Sequence, residues 1–260
     1  MSIKSPVLKY YGSKFRLASW IISHFPKHRH YVEPFGGAAN VLLLKGPAHL
    51  ETYNDLNADL VTFFRVLRDR PQQLIRALRL TPWSRHEFAV CCSSDEKIDD
   101  LERARRLYFR LWMSIEGGIA KGSFRRHKNG NRSVTKDLRF GTLYRAARRL
   151  QRVVIEQRDA LTLMKEMDSK DTLFYLDPPY VASTRTARSI YSHEMNDDAH
   201  RQFLATVKDL KGLVVISGYP SPLYTNNLES CGWHRVDKRA MVNSGGSRIE
   251  ALWLSPNLSK

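Results

Sequence analysis

The residues best suited to chemistry are Asp177, Pro178, Pro179 and Tyr180, which close the apolar run Leu173-Phe174-Tyr175-Leu176. A short apolar run bounded by a breaker reads as a buried strand. Proline has no N–H and a fixed φ, so the strand stops at Asp177. The residue before each proline is pushed to an extended geometry. The product is a stiff loop at the carboxyl end of a strand, where open α/β sheets place their ligands. It offers one carboxylate, backbone carbonyls and one aromatic face. The exocyclic amine of a nucleobase is a poor nucleophile, because its lone pair is delocalised into the ring. Acceptors aimed at its N–H groups favour a tetrahedral nitrogen and release that pair. Asp177 and the carbonyl of Pro178 are candidates for this work, and Tyr180 for stacking on a base drawn out of a duplex. The competing reading is a proline-capped strand end with a solvated Asp177.

Three further stretches carry ligand chemistry. Tyr31-Val32-Glu33-Pro34-Phe35-Gly36-Gly37-Ala38-Ala39-Asn40 reads as strand, glycine turn and helix start, with glycines that let a ligand approach the backbone closely. It lacks Gly-x-Gly-x-x-Gly, which disfavours a nicotinamide cofactor. In residues 7–20, Gly12-Ser13 marks a turn, and an amphipathic helix is expected from there to about residue 23. The N–H groups at that helix start, with Lys14, suit a carboxylate. A strand at 50–53 ends at Asn54-Asp55-Leu56-Asn57-Ala58-Asp59. An acid at that place in a nucleotide-binding fold can take ribose hydroxyls, whereas Asn57 is the better helix cap.

Composition limits the partners. The 260 residues suffice for one α/β domain and a smaller insertion, and 42% hydrophobic content permits a core. A net charge of +16, with a pI near 9.9, points to a polyanion, nucleic acid before membrane. Cys91, Cys92 and Cys231 match no zinc spacing, and their odd number fits a reduced, cytoplasmic protein. No signal peptide or membrane span is read from the sequence.

The elements that must position these residues follow from periodicity. Residues 58–116 read as helices interrupted at Pro71 and Pro82. Residues 97–152 hold 16 Lys and Arg against 5 Asp and Glu, so this segment carries +11 of the total charge. In its middle, the Gly-rich run 117–132 argues for loops or a hairpin. Arg125, Arg126, Lys128 and Arg132 are candidate contacts to phosphates or base edges, and Phe124 a candidate to wedge or stack. A helix is expected at about 142–152, a β-branched strand at 153–156, and then Asp159 at the strand end or as a helix N-cap. A helix over 200–210, a buried strand over 213–219 and an antiparallel pair at about 234–239 and 249–254 complete the chain.

The set Leu8-Lys9-Tyr10-Tyr11-Gly12-Ser13-Lys14, Glu33-Pro34-Phe35-Gly36-Gly37 and Asp177-Pro178-Pro179-Tyr180, in this order, resembles the Dam-type α group of DNA adenine-N6 methyltransferases. Ala39 departs from that family's glycine or serine. The resemblance implies a Rossmann-like S-adenosylmethionine-dependent methyltransferase fold of class α/β, with a mixed seven-stranded sheet and a helical and β-hairpin target-recognition insertion. It implies a catalytic domain of residues 1–56 and 141–260 and a DNA-binding insertion of 57–140. The implied roles are cofactor binding for Tyr10, Lys14, Glu33, Phe35, Gly37, Asp55, Asp159 and Asp177, and transfer to a flipped adenine by Asp177, Pro178 and Tyr180. Double-stranded DNA is the expected partner, with no metal and no membrane, and a restriction-modification setting is compatible. The segment Trp112-Met113-Ser114-Ile115-Glu116-Gly117-Gly118 replaces an asparagine-containing segment of the family, so no base-reading residue carries over. The alternatives are an RNA adenine or DNA cytosine-N4 methyltransferase, the latter more often bearing serine at the Asp177 position, and a catalytically silent DNA-binding module.

Overall fold

The computed structural model describes residues 3–94, 97–115, 123–125, 138–184, 194–241 and 247–259. Among these, the strands are β1 (His30–Glu33), β2 (Leu50–Asn54), β3 (Val153–Glu156), β4 (Thr172–Leu176), β5 (Leu213–Gly218), β6 (His234–Met241) and β7 (Ser247–Leu254). They form one mixed sheet of seven strands in the order β3-β2-β1-β4-β5-β7-β6. β1 to β5 pair in parallel, while β7 runs antiparallel between β5 and β6. The chain winds outward from β1 through β2 to β3, then resumes on the other side with β4. The order therefore reverses between β1 and β4, and their diverging connections leave a crevice at the carboxyl ends of the strands. β4 is buried at every position, as a central parallel strand covered on both faces must be.

The helices are α1 (Ala18–Ile22), α2 (Asn40–Leu44), α3 (Ala58–Asp69), α4 (Pro71–Leu80), α5 (Arg85–Cys92), α6 (Asp100–Met113), α7 (Phe140–Leu150), α8 (Ala160–Glu166), α9 (Asp197–Lys208) and α10 (Pro222–Leu228). Asn57 caps α3 as expected, its Oδ1 accepting from the N–H of Asp59 and Leu60. Pro71 opens α4, where its missing N–H costs nothing, and Pro82 lies in the break before α5. Two boundaries differ from expectation. α9 begins at Asp197 because Asn196 caps it. α1 begins only at Ala18, since Leu17 has no side chain able to cap it. Residues 10–14 instead form a turn closed by the Ser13 N–H on the Tyr10 carbonyl, so Lys14 sits on a loop and not at a helix start.

Alternating strand residues feed two apolar layers. Tyr31, Tyr53, Tyr175, Val215 and Leu252 face one core, and Val32, Phe174, Ile216 and Trp253 the other. The first core runs without a break into Phe63 and Leu67 of α3, Leu74 of α4, and Leu107 and Leu111 of α6. The helical segment after β2 thus shares the core of the sheet.

Candidate active site and nucleic-acid face

A cleft of about 970 Å3, its open mouth included, lies over the carboxyl ends of β1, β2 and β4. Tyr10, Lys14, Glu33, Phe35, Gly37, Asp55 and Asp177 all line it. Asp159 does not; its Oδ1 accepts from the N–H and the hydroxyl of Thr162, both at 2.9 Å, and caps α8. The next residue, Ala160, reaches the cleft.

The floor is built by the turn after β1. A Cβ at Gly36 would lie 2.1 Å from the ring of Tyr53, so only glycine fits against that buried ring. Gly37 and Ala39 both have positive φ, at 49° and 53°. Ala39 thus occupies the left-handed region that favours glycine. The Tyr53 hydroxyl donates to the Gly37 carbonyl at 2.8 Å. Asp55 accepts from the Gly37 N–H at Oδ2 and from the Asn57 N–H at Oδ1, both at 2.8 Å. Asn40 Nδ2 donates to Ser13 Oγ at 2.8 Å, tying the glycine turn to the amino-terminal loop.

Glu33 ends β1 and is 2% exposed. Its Oε2 accepts from the Tyr31 hydroxyl at 2.8 Å and the Leu42 N–H at 3.0 Å. Burial, opposed by the Tyr31 bond and reinforced by Asp177, pushes its pKa up to about 8. A carboxylate so placed calls for a cation in the cleft.

Asp177 stands just beyond β4. Ser217 Oγ, at the end of β5, donates to its Oδ1 at 2.8 Å, and Lys14 Nζ is 3.0 Å from its Oδ2. Burial pulls the Lys14 ammonium toward neutrality, but Asp177 and then Glu250 outweigh it, and its pKa lies above the ordinary lysine value. The same ammonium lies 4.7 Å from the ring centroid of Tyr180. Tyr180 is buried and, like Pro178, is not among the residues lining the cleft; its hydroxyl donates to Glu250 Oε2 at 2.9 Å, and Tyr219 meets its ring edge-on at 4.6 Å. The sequence pointed Lys14 at a cofactor; the structure bonds it to the candidate catalytic carboxylate. Ser217, Tyr219, Glu250 and Asn40 were not singled out from sequence. The signal for the first two was their place at a strand end beside the Asp-Pro-Pro-Tyr loop. For Glu250 it was an acid entering the apolar run Ala251-Leu252-Trp253-Leu254.

Of the segment where loops or a hairpin are expected, residues 123–125 are described, and they pair with the end of α6. Ser114 and Phe124 form an antiparallel bridge directly after α6, with the Ile115 N–H on the Ser123 carbonyl and the Arg125 N–H on the Met113 carbonyl. Lys9 Nζ donates to the carbonyls of Ser114 and Ile115 at 2.8 and 2.9 Å, so the neighbour of Tyr10 holds this bridge. Phe124 packs on Phe88, with Arg85 over its ring, and Arg125 lies over Trp83. These contacts tie both residues to α5 and the loop before it. Arg126, Lys128 and Arg132 lie outside the described residues. Asp59 is paired with Arg110 at 2.9 Å. Among the described residues no group of three or more His, Cys, Asp or Glu could hold a metal ion, and no helix is long and apolar enough to cross a membrane.

Comparison with known proteins places these features in a lineage. A family model described as "D12 class N6 adenine-specific DNA methyltransferase" matches residues 10–242. The chain is similar to the "Type II methyltransferase M1.LlaDCHI" of Lactococcus lactis subsp. cremoris, 27% identical over 254 residues that cover 89% of this chain and 87% of that one. It is also similar to the "DNA adenine methylase" of Escherichia coli strain K12, 25% identical over 252 residues, covering 92% of this chain and 89% of that one.

Proposed function

Because the chain belongs to the D12 class of N6 adenine-specific DNA methyltransferases, we propose that its cleft holds S-adenosylmethionine and that Asp177, Pro178 and Tyr180 present an adenine flipped from double-stranded DNA. S-adenosylmethionine supplies a methyl group already activated on a sulfonium, so the protein has to orient and stabilise charge. The buried carboxylate of Glu33, the backbone of Gly37 between two positive-φ positions, and the anchored carboxylate of Asp55 fit a ligand that carries a cation and ribose hydroxyls. Tyr10, Phe35 and Lys14 complete that lining, with Asp159 at its margin through Ala160.

The observation that carries the reading is that Glu33 and Asp177, at the ends of adjacent strands, face one cleft floored by the glycine turn. Asp177 is fixed by Ser217 and Lys14, so its remaining lone pairs, with the Pro178 carbonyl, accept from the adenine amino group as it becomes tetrahedral. Transfer is direct, with no covalent enzyme intermediate. Tyr180 meets the base by its ring, which requires Lys14 to leave the ring face. The target-recognition insertion of residues 57–140 neutralises phosphates through Arg126, Lys128 and Arg132, and through Arg125 once it leaves the ring of Trp83, so binding weakens steeply with salt. The test is transfer of labelled methyl to unmethylated duplex DNA, followed by nucleoside analysis. N6-methyladenine is expected; methylcytosine, or label on RNA alone, overturns the proposed target.

A further inference from the structure

We propose that Glu250 is a positioning residue of the transfer reaction: it grips the hydroxyl of Tyr180 and fixes the angle at which that ring meets the target base. The inference rests on the reading of Tyr180 given above. Glu250 is 8% exposed at the start of an otherwise apolar stretch of β7. Burying a carboxylate there is costly unless it is bonded, so an apolar residue would be the cheaper occupant. Its Oε2 takes the Tyr180 hydroxyl at 2.9 Å.

The loop itself leaves this need open. Pro178 and Pro179 fix the backbone up to Tyr180, but not the side-chain torsions that aim its ring. Tyr219 bears on the ring from one side at 4.6 Å, and Glu250 holds the far end. The anchor is rigid because β7 is bonded to β5 at Gly218 opposite Ala251, and β5 to β4 at Ile216 opposite Leu176. Tyr180 is thus tied at its backbone to β4 and at its hydroxyl to β7. The charged and titratable groups around Glu250 include Lys14, Asp177, Arg248, Tyr180, Tyr219 and Tyr175. Neutralising Lys14 is therefore the competing role for Glu250.

Substitutions separate the two roles. Glu250→Gln keeps an acceptor for the hydroxyl but loses the charge; Glu250→Leu loses both; Tyr180→Phe removes the bond from the other side. Single-turnover methyl transfer is measured for each, with S-adenosylmethionine affinity by calorimetry and fluorescence of a 2-aminopurine at the target position. Glu250→Leu and Tyr180→Phe should each slow transfer about tenfold with cofactor affinity unchanged, and their combination should be no slower than either alone. Glu250→Gln should stay within about threefold of the parent. A Gln variant as slow as the Leu variant, additive losses in the double variant, or a Leu variant with the parent rate would each overturn the proposal. Tyr180→Ala separates the premise from the inference: full transfer by that variant removes Tyr180 from the site altogether, whereas its loss beside an unaffected Glu250→Leu sinks the role of Glu250 alone.

Discussion

Replacing Glu33 by Gln should stabilise the protein at neutral pH, although it alters a buried residue in the middle of the cleft. The amide keeps an acceptor oxygen for the Tyr31 hydroxyl and the Leu42 N–H and has nothing to ionise. The carboxyl of Glu33 titrates at about 8 in the folded chain against an ordinary value of 4.5. Between those pH values the folded state holds a proton that the unfolded state has released. Stability therefore falls as pH rises through this window and levels off above about 8. At pH 7 the interval from 4.5 is two and a half pH units, at about 1.36 kcal/mol each, which amounts to roughly 3 kcal/mol. Urea unfolding of both proteins from pH 5 to pH 9 measures it, because other titrating groups cancel in the difference. The gap between the variant and the parent should be small at pH 5, about 3 kcal/mol at pH 7, and constant beyond pH 8 or so. Parallel curves across the whole range would refute the argument that burial leaves Glu33 short of a cation. S-adenosylmethionine should bind the parent with proton release and the Gln variant without it, seen as a buffer-dependent binding enthalpy that the variant loses.

The other expectations concern the same cleft. Asp177→Ala should slow transfer at least about 100-fold while changing DNA affinity little; retained turnover would sink the mechanism. Ala39→Gly relieves a left-handed alanine worth about 1–2 kcal/mol and gives back about 0.4–1 kcal/mol in unfolded-chain entropy, so denaturation should find it neutral to more stable. The same change at Ala38, which has no positive φ, should destabilise. Gly36→Ala drives a methyl into the ring of Tyr53; overpacking of about 1–3 kcal/mol should appear as a lower unfolding midpoint together with weaker S-adenosylmethionine binding. An unchanged midpoint would mean that the ring moves aside freely.

Several strands were legible as short apolar runs ending in residues that break strands, whereas their assembly into one mixed sheet of seven came from the resemblance. Asp177 could be read from the prolines that follow it, and Gly37 and Asp55 from their places after the first and second strands, whereas Glu33 came only from the resemblance of Glu33-Pro34-Phe35-Gly36-Gly37 to the family's motif. The ion pair between Lys14 and Asp177 could not, since it joins loops 163 positions apart in the chain and depends on the pairing of β1 with β4. Glu250 escaped notice for a similar reason: its partner lies 70 residues away. The start of α1 was misplaced because periodicity marks the apolar face of a helix but not its first turn, which Leu17 leaves uncapped. The contact of Phe124 with Phe88 of α5 was not legible either, since the two rings lie 36 positions apart in the chain.

Among the described residues, the strand order leaves β3 and β6 as the open edges of the sheet. An open edge is a template for the strand of another molecule. β6 is eight residues long but presents Asp237, Lys238 and Arg239 exposed along it. β3 is four residues long, and Arg68 from α3 reaches across to bond the carbonyl of Val153 at 3.2 Å. One edge is studded with charge and the other is short and partly capped. A second copy adding its own strand would bury charge on one side and find little length to pair with on the other. The same sheet that gathers the cleft at its strand ends is thereby guarded along its flanks against growing into aggregates.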